Sequence, residues 1–167
     1  MEKETSTTVD TIRTSDELLL NEEYIELPPA WWQDLFEMHD KYGFHDAADA
    51  MDAETLKKML VFRIKFLEEE LTEMKSAKSA EDIVDALIDL CVVAVGTLDI
   101  YSVGAQTAWD EVHLANMAKE RGTNASRPNP LGLPDLVKPE GWTPPSHEGN
   151  HGMLANLDYT DFDKNFE

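Results

Sequence analysis

Residues 81–95, which read EDIVDALIDLCVVAV, decide the fold of this chain. The stretch is apolar almost all the way round, and a helix of that kind is normally buried. Asp82, Asp85 and Asp89 nevertheless follow a helical spacing that puts them on one face. No Lys or Arg occurs in residues 79–118. Because burying unpaired carboxylates is costly, these aspartates must be protonated, face solvent or be neutralised by a metal ion.

A second acidic cluster, EEELTE at residues 68–73, lies just upstream. The spacing of apolar residues predicts a long amphipathic helix over about 52–75. The short link at 76–80 favours antiparallel packing of the two helices, so that Glu70 and Glu73 face Asp82 and Asp85. Carboxylates on facing helices can bind Mg²⁺, a cation that prefers oxygen ligands. The alternative for Glu68–Glu70 alone is a solvated helix face, whereas the apolar neighbours of Asp85 and Asp89 predict that those two are shielded from water.

Two further helices complete a predicted all-α, four-helix bundle with little β-structure. One follows Pro28-Pro29 and runs over about 30–40, and the other runs over about 105–121 and is stopped by Gly122. We expect residues 1–27 to form an acidic N-terminal arm and 28–122 the helical domain. Residues 123–167 contain repeated prolines and are expected to form an extended tail, mobile after about 146.

Charge and composition restrict the possible partners. The 167 residues include 34 acidic and 14 basic ones, for a formal net charge of −20. Such a surface disfavours binding to nucleic acid or to an anionic membrane. A single cysteine and no apolar leader or spanning segment predict a soluble, cytoplasmic protein. One small bundle would leave apolar surface exposed on the helix at 83–98, so we also expect self-association.

The remaining candidates are ligand-binding residues. Asn116 and Lys119 are three apart and could contact one phosphorylated ligand, although a lysine near a helix C-terminus is also favoured by the helix dipole. Aromatic residues of the first helix and the turn after it could stack a nucleobase, although core packing is the commoner reason for such residues: Trp31, Trp32, Phe36 and Phe44.

Five segments together resemble a known family. They are Arg63 with FLEEELTE at 66–73, DIVDALIDL at 82–90, VGT at 95–97, DEVHLANMAK at 110–119 and VKPEGWTPP at 137–145. In this order and spacing they closely resemble the phosphoribosyl-ATP pyrophosphohydrolase-like branch of the MazG-type all-α nucleotide pyrophosphohydrolases, a branch common in phages. The resemblance covers roughly residues 32–146.

The resemblance implies a Mg²⁺-dependent enzyme, with Mn²⁺ as a possible substitute, that works as a homodimer or homotetramer. The family's E-E-x-x-E element falls on Glu69, Glu70 and Glu73, and its E-x-x-D element falls on Asp82 and Asp85, with Asp in place of Glu at the first position. We therefore predict the following roles: metal binding by Glu69, Glu70, Glu73, Asp82, Asp85 and Asp89, proton transfer by Glu69 or Glu73, and substrate binding by Asn116, Lys119, Arg63, Trp32 and Phe36.

The activity expected from this resemblance is hydrolysis of a (d)NTP to (d)NMP and pyrophosphate. We expect dGTP or GTP as the substrate, in the host cytoplasm if the protein is phage-encoded. Within the same class the alternative substrate is phosphoribosyl-ATP. From a different class, the alternative is a non-catalytic acidic helical protein that binds a basic partner or mimics DNA.

Overall fold

The computed structural model describes residues 31–123, 131–132 and 135–166, and its fold is all-α. The predicted acidic arm, 1–27, lies outside the described residues. Five α-helices occur in the described part: α1 (Trp31–Lys41), α2 (Phe44–Asp49), α3 (Ala53–Ser76), α4 (Ala80–Ile100) and α5 (Ala105–Met117). The predicted helices correspond to α1, α3, α4 and α5, and α2 is an additional short helix. None of the described helices is both long and apolar enough to cross a bilayer.

The turn between α1 and α2 is made by Gly43, which has a φ of 73°. This left-handed conformation suits glycine because it has no Cβ. Gly43 N–H donates to the Asp40 carbonyl and the Gly43 carbonyl accepts from Ala47, so one residue ends α1 and begins α2. The sequence pattern predicted the end of α1 here but not the new helix, because six residues are too few for a periodic signal.

Helices α3 and α4 form an antiparallel pair with the most extensive contact between elements. Asp52 caps α3 by accepting from Thr55 N–H at 2.8 Å. Ser79 and Asp82 form a full capping box at the start of α4, since Ser79 Oγ accepts from Asp82 N–H while Asp82 Oδ2 accepts from Ser79 N–H. Both caps satisfy helix N–H groups that would otherwise lack partners, and the capping box of Ser79 and Asp82 fixes where the link at 77–79 ends.

The main core lies at the opposite end of the α3–α4 pair. Its buried members are Ala48, Leu56, Ile100, Tyr101, Val103 and Leu157. Tyr101 is fully buried, and its hydroxyl donates to the Leu56 carbonyl at 2.6 Å. Burial raises the pKa of Tyr101 to about 12.

The C-terminal segment packs on this core, so the prediction that it is mobile after residue 146 was wrong. It forms two short 3₁₀ helices, Gly152–Asn156 and Phe162–Phe166, and buries Leu157. Met153 N–H donates to the Tyr101 carbonyl at 2.8 Å. Gly152 lies so close to Tyr101 and Ser102 that an added Cβ would collide with their backbone. We expected mobility because terminal segments are commonly mobile, but the contacts of Met153 and Leu157 with the core hold this one.

A two-stranded antiparallel ribbon corrects the predicted end of α5. The helix ends at Met117, and strand β1 (Glu120–Gly122) pairs with β2 (Asp135–Val137). Gly122 does not stop a helix; a Cβ there would lie 2.6 Å from Val137 Cγ2, so glycine lets the strands approach. Three-residue strands are too short to give an alternating pattern.

Candidate active site

The acidic residues of α3 and α4 face one another near the link between these helices. Glu70 is half-buried, and its pKa is raised by loss of solvent and then by the negative charges of Glu73, Asp89, Glu69 and Asp85. Charges from both helices therefore act on one carboxyl group. The predicted facing of Glu70 and Asp85 agrees with this arrangement, whereas Asp89, and not Asp82, is the other aspartate of α4 whose charge acts on Glu70.

Glu70 has a polar atom that no group in the described part of the chain satisfies. Its Oε2 is buried and has no hydrogen-bond partner within the described part of the chain. A buried carboxylate oxygen without a partner is costly, and four neighbouring carboxylates add repulsion to that cost. A cation bound between α3 and α4 would remove both penalties.

Asp82 also caps α4, a role separate from the metal binding predicted for it. Its Oδ2 accepts from the N–H groups of Lys78 and Ser79, at 2.8 and 3.0 Å. These hydrogen bonds hold the pKa of Asp82 below its ordinary value. The carboxylate that would have to bind metal is thus already engaged in capping α4, and it is exposed.

The predicted shielding of the other two aspartates was wrong for Asp85. Asp85 is exposed and Asp89 is only half-buried, because Val84, Leu87 and Ile88 beside them are also exposed in the single chain. The apolar neighbours in the sequence correctly indicated an apolar helix, but in one copy of the chain much of that surface is uncovered.

The acidic site is open. Among residues 31–123, 131–132 and 135–166, three acidic ligand atoms do not come within 4.8 Å of one another on this face. Mg²⁺ usually keeps several waters and uses one or two carboxylates together with substrate phosphates. The unpartnered Glu70 oxygen and the surrounding negative charge therefore fit such an ion, and further donors are available from the carboxylates whose charges act on Glu70, namely Glu73, Asp89, Glu69 and Asp85.

Arg63 holds α3 to α4. Its Nε donates to Thr97 Oγ1 at 2.9 Å and its Nη2 to the Val93 carbonyl at 2.8 Å. The guanidinium is also 5.8 Å from the ring centre of Phe66. Two donors of Arg63 are thus used within the helix pair, which favours a structural role over the predicted contact with substrate.

Asn116 and Lys119 lie together at the end of α5, as their spacing predicted. Lys119 Nζ donates to Asn116 Oδ1 at 2.8 Å. Trp142 packs beside them and donates from Nε1 to the Ala115 carbonyl at 2.7 Å, while Lys119 and Lys138 lie 5.8 and 4.4 Å from its ring centre. The sequence did not predict Lys138 here, because only the fold of the segment at 135–142 brings it to α5.

The aromatic candidates of α1 differ in their surroundings. Phe36 is half-exposed, with its ring 4.8 Å from that of His45, and Trp32 has a buried Nε1 without a partner in the described chain. A cavity of about 280 Å³ opens between α1 and α4. It is lined by Trp31, Asp34, Leu35, Ile88, Cys91 and Val92. Trp31, Asp34 and Leu35, rather than Trp32 and Phe36, are therefore the α1 residues that line this cavity.

A histidine–aspartate cluster was not predicted from the sequence. Asp99 Oδ2 lies 2.6 Å from His39 Nδ1 and 2.8 Å from His45 Nε2. His39 is buried on α1, His45 lies on the short helix α2, and Asp99 lies in the last turn of α4. No sequence spacing joins residues this far apart.

The fold and this acidic helix pair agree with a comparison against family models. Residues 44–116, from the start of α2 almost to the end of α5, match the family described as phosphoribosyl-ATP pyrophosphohydrolase. The matched region is thus an all-α nucleotide pyrophosphohydrolase domain, a hydrolase type that acts on phosphoric anhydrides. This match confirms, for residues 44–116, the resemblance to the MazG-like, phosphoribosyl-ATP pyrophosphohydrolase family that the sequence motifs indicate. A search of curated proteins gave no significant match.

Proposed function

We propose that this protein is a Mg²⁺-dependent (d)NTP pyrophosphohydrolase of the cytoplasm that releases pyrophosphate and the (d)NMP. The observation that carries this proposal is the buried, unpartnered Glu70 oxygen among four other carboxylates. A structural protein gains nothing from such a group, whereas a phosphate-cleaving enzyme needs acidic ligands for a cation. The family match supports the same class of reaction.

Each acidic residue has a distinct part in this proposal. Glu70, Glu73, Asp85 and Asp89 hold Mg²⁺, which when bound offsets phosphate charge and lowers the pKa of a water. Glu69 and Glu73 are both exposed, so either can accept the proton of the attacking water. Asp82 fixes the first turn of α4 and contributes through its capping bonds.

The cavity between α1 and α4 offers a site for the nucleobase. Ile88, in its wall, directly precedes Asp89 of the acidic face, so a nucleotide could reach from one to the other. The cavity wall is mostly apolar and includes one indole ring and the Asp34 carboxylate. A carboxylate can accept two N–H groups from the edge of guanine, which supports dGTP or GTP as the substrate.

The exposed apolar face of α4 supports a homodimer or homotetramer. Ile83, Val84, Leu87 and Ile88 are between 38% and 60% exposed in the single chain. These residues alternate with Asp82, Asp85 and Asp89, so a second copy seated on α4 would also reduce the access of water to the acidic site. Such a partner would supply the shielding that the single chain lacks.

The test is pyrophosphate release from a panel of nucleotides, with and without Mg²⁺. The panel should contain dGTP, GTP, the other (d)NTPs and phosphoribosyl-ATP. We expect Mg²⁺-dependent release that is fastest with a guanine nucleotide. Faster release from phosphoribosyl-ATP would keep the reaction class but replace the substrate.

Asp85→Asn tests the assignment of the site. It removes one metal-directed charge while keeping the shape, so we expect turnover to fall at least about a hundredfold with an unchanged helical CD spectrum. Glu54→Gln is the matched control, because Glu54 lies on α3 and is exposed, about 24 Å along the helix from Glu70. Near-normal turnover of Asp85→Asn would contradict the site.

The exposure of Asp85 also favours a second candidate, a non-catalytic acidic protein that binds a basic partner. Thermal melts separate the two. A cation bound only by the native state stabilises by mass action, so an enzyme site predicts a larger rise of Tm with Mg²⁺ than with NaCl at equal ionic strength. Equal rises, together with no pyrophosphate release, would support the acidic binding protein.

A further inference from the structure

We propose that His39, His45 and Asp99 form a second metal site, which binds one divalent transition-metal ion of the Zn²⁺ type and is separate from the acidic face. The three ligand atoms lie within 4.8 Å of one another, the only such group of His, Cys, Asp and Glu in the described ranges. Imidazole nitrogens suit Zn²⁺ and its neighbours in the first transition series, whereas Mg²⁺ prefers an all-oxygen shell. The ligand chemistry therefore differs from that of the acidic face.

The backbone is arranged so that the three side chains converge. The left-handed Gly43 reverses the chain between α1 and α2 and brings His39 and His45 to the same side. Gly96, one turn before Asp99, leaves room for the imidazole ring of His39, since a Cβ at Gly96 would lie 3.0 Å from His39 Cε1. Three separate helices thus each contribute one ligand, which is how structural metal sites join elements.

The burial of the cluster suits a bound ion. The side chains of His39, Asp99 and His45 are 3%, 13% and 25% exposed. The rings of Phe44 and Phe36 lie against His39 and His45, with centres 4.9 and 4.8 Å apart. This apolar surrounding limits access of water and strengthens the attraction between the carboxylate and a cation. The more exposed His45 leaves an entry path.

The ligand atoms of this cluster lie at hydrogen-bond distances from one another. One oxygen of Asp99 accepts hydrogen bonds from both rings, at 2.6 and 2.8 Å. In a tetrahedral site with bonds of about 2.0–2.1 Å, neighbouring ligand atoms lie about 3.3 Å apart. The side chains must therefore open by roughly half an ångström when the ion binds, and each ligating ring nitrogen must give up its hydrogen, to the other nitrogen of the same ring or to solvent.

The experiment is a competition titration of the full chain with Zn²⁺ against a chromophoric chelator. The protein is first stripped of metal, and excess Mg²⁺ is present to occupy the acidic face. We expect one Zn²⁺ per chain and a rise of Tm on binding. His45→Gln and Asp99→Asn should each weaken Zn²⁺ binding at least about tenfold, the smallest loss usual for residues that only support a metal ligand.

His113→Gln is the matched control, because His113 is an exposed histidine on α5, and its Zn²⁺ affinity should equal that of the wild type. Asp99→Asn keeps the side-chain size, and CD spectra and melts without metal show whether both variants fold. If the wild-type protein does not bind Zn²⁺, then His39, His45 and Asp99 form only a hydrogen-bonded network, and the proposal is overturned. Unchanged binding in either folded site variant would also overturn it. The readout is metal affinity, so the result does not depend on pyrophosphohydrolase activity.

Discussion

The two ends of the α3–α4 pair differ in how their polar and apolar groups are satisfied. At the end near the link, Glu70 has a buried oxygen without a partner and Leu87 is 46% exposed. At the other end, the fully buried Tyr101 donates a hydrogen bond and Leu157 is 7% exposed. The core end of the helix pair therefore supplies stability. The end near the link keeps polar and apolar groups without partners, and these groups are available to ligands.

The largest effect should come from a pair of matched leucine substitutions. Leu157→Ala should lower the free energy of unfolding by about 2–5 kcal/mol, because it leaves a cavity in the core. Leu87→Ala should change it by no more than about 0.5 kcal/mol in the monomer. Urea unfolding at low protein concentration measures both.

Similar losses of unfolding free energy in Leu157→Ala and Leu87→Ala would contradict a difference in stability between the two ends. A loss for Leu87→Ala that grows with protein concentration would instead place Leu87 in an interface between copies of the chain.

Lys119→Ala tests whether substrate binding extends from the α3–α4 pair to the end of α5. If Lys119 contacts a substrate phosphate, kcat/KM should fall about ten- to a hundredfold, since a charged hydrogen bond is worth about 1.5–3 kcal/mol. Metal affinity without nucleotide should stay unchanged. Steady-state kinetics and a metal titration measure the two effects.

Lys164→Ala is the control for this variant, because Lys164 is an exposed lysine that pairs with Asp161. Kinetics of Lys119→Ala that match this control, with a loss of at most about 1 kcal/mol in stability, would leave Lys119 as a residue that stabilises the helix end.

The smallest effect should be a change in the pH dependence of stability. Burial and like charges raise the folded-state pKa of Glu70 above its ordinary 4.5. The native state therefore holds this proton more tightly than the unfolded state, and the resulting stability is lost as pH rises from about 4.5 through the raised pKa. Glu70→Gln cannot titrate, so its Tm without divalent ions should fall less steeply over that range.

Melts of wild type, Glu70→Gln and the exposed control Glu54→Gln in a chelator, from pH 4 to pH 8, check this difference. The same slope in all three proteins would show that the two ends of the helix pair do not differ electrostatically.

The long helices and their caps could be predicted from the sequence because those signals are local. The stripe of α3 and the pairing of Ser79 with Asp82 each lie within a few residues, and both agree with the structure. The convergence of α3 and α4 on Glu70 followed from the short link and was also predictable. The metal-binding and catalytic roles assigned to these residues stay predictions.

What could not be predicted depends on long-range contacts. Helix α2 has six residues and no periodicity, and the site of Asp99 requires two histidines from 54 and 60 residues away. Likewise, Leu157 lies in a largely polar segment, and it is buried because it packs in the same core cluster as Tyr101. Local patterns carry no information on such partners.

The docking of Gly152 and Met153 against Tyr101 has a consequence for synthesis of the chain on the ribosome. Tyr101 emerges with α4, but Leu157, which completes its surroundings, follows 56 residues later (157 − 101). At about 5–20 residues per second, the nascent helices wait roughly 3–11 s with part of their core open to water. During that interval the growing chain is exposed to chaperones and proteases, and the arrival of the last apolar residues ends this exposure.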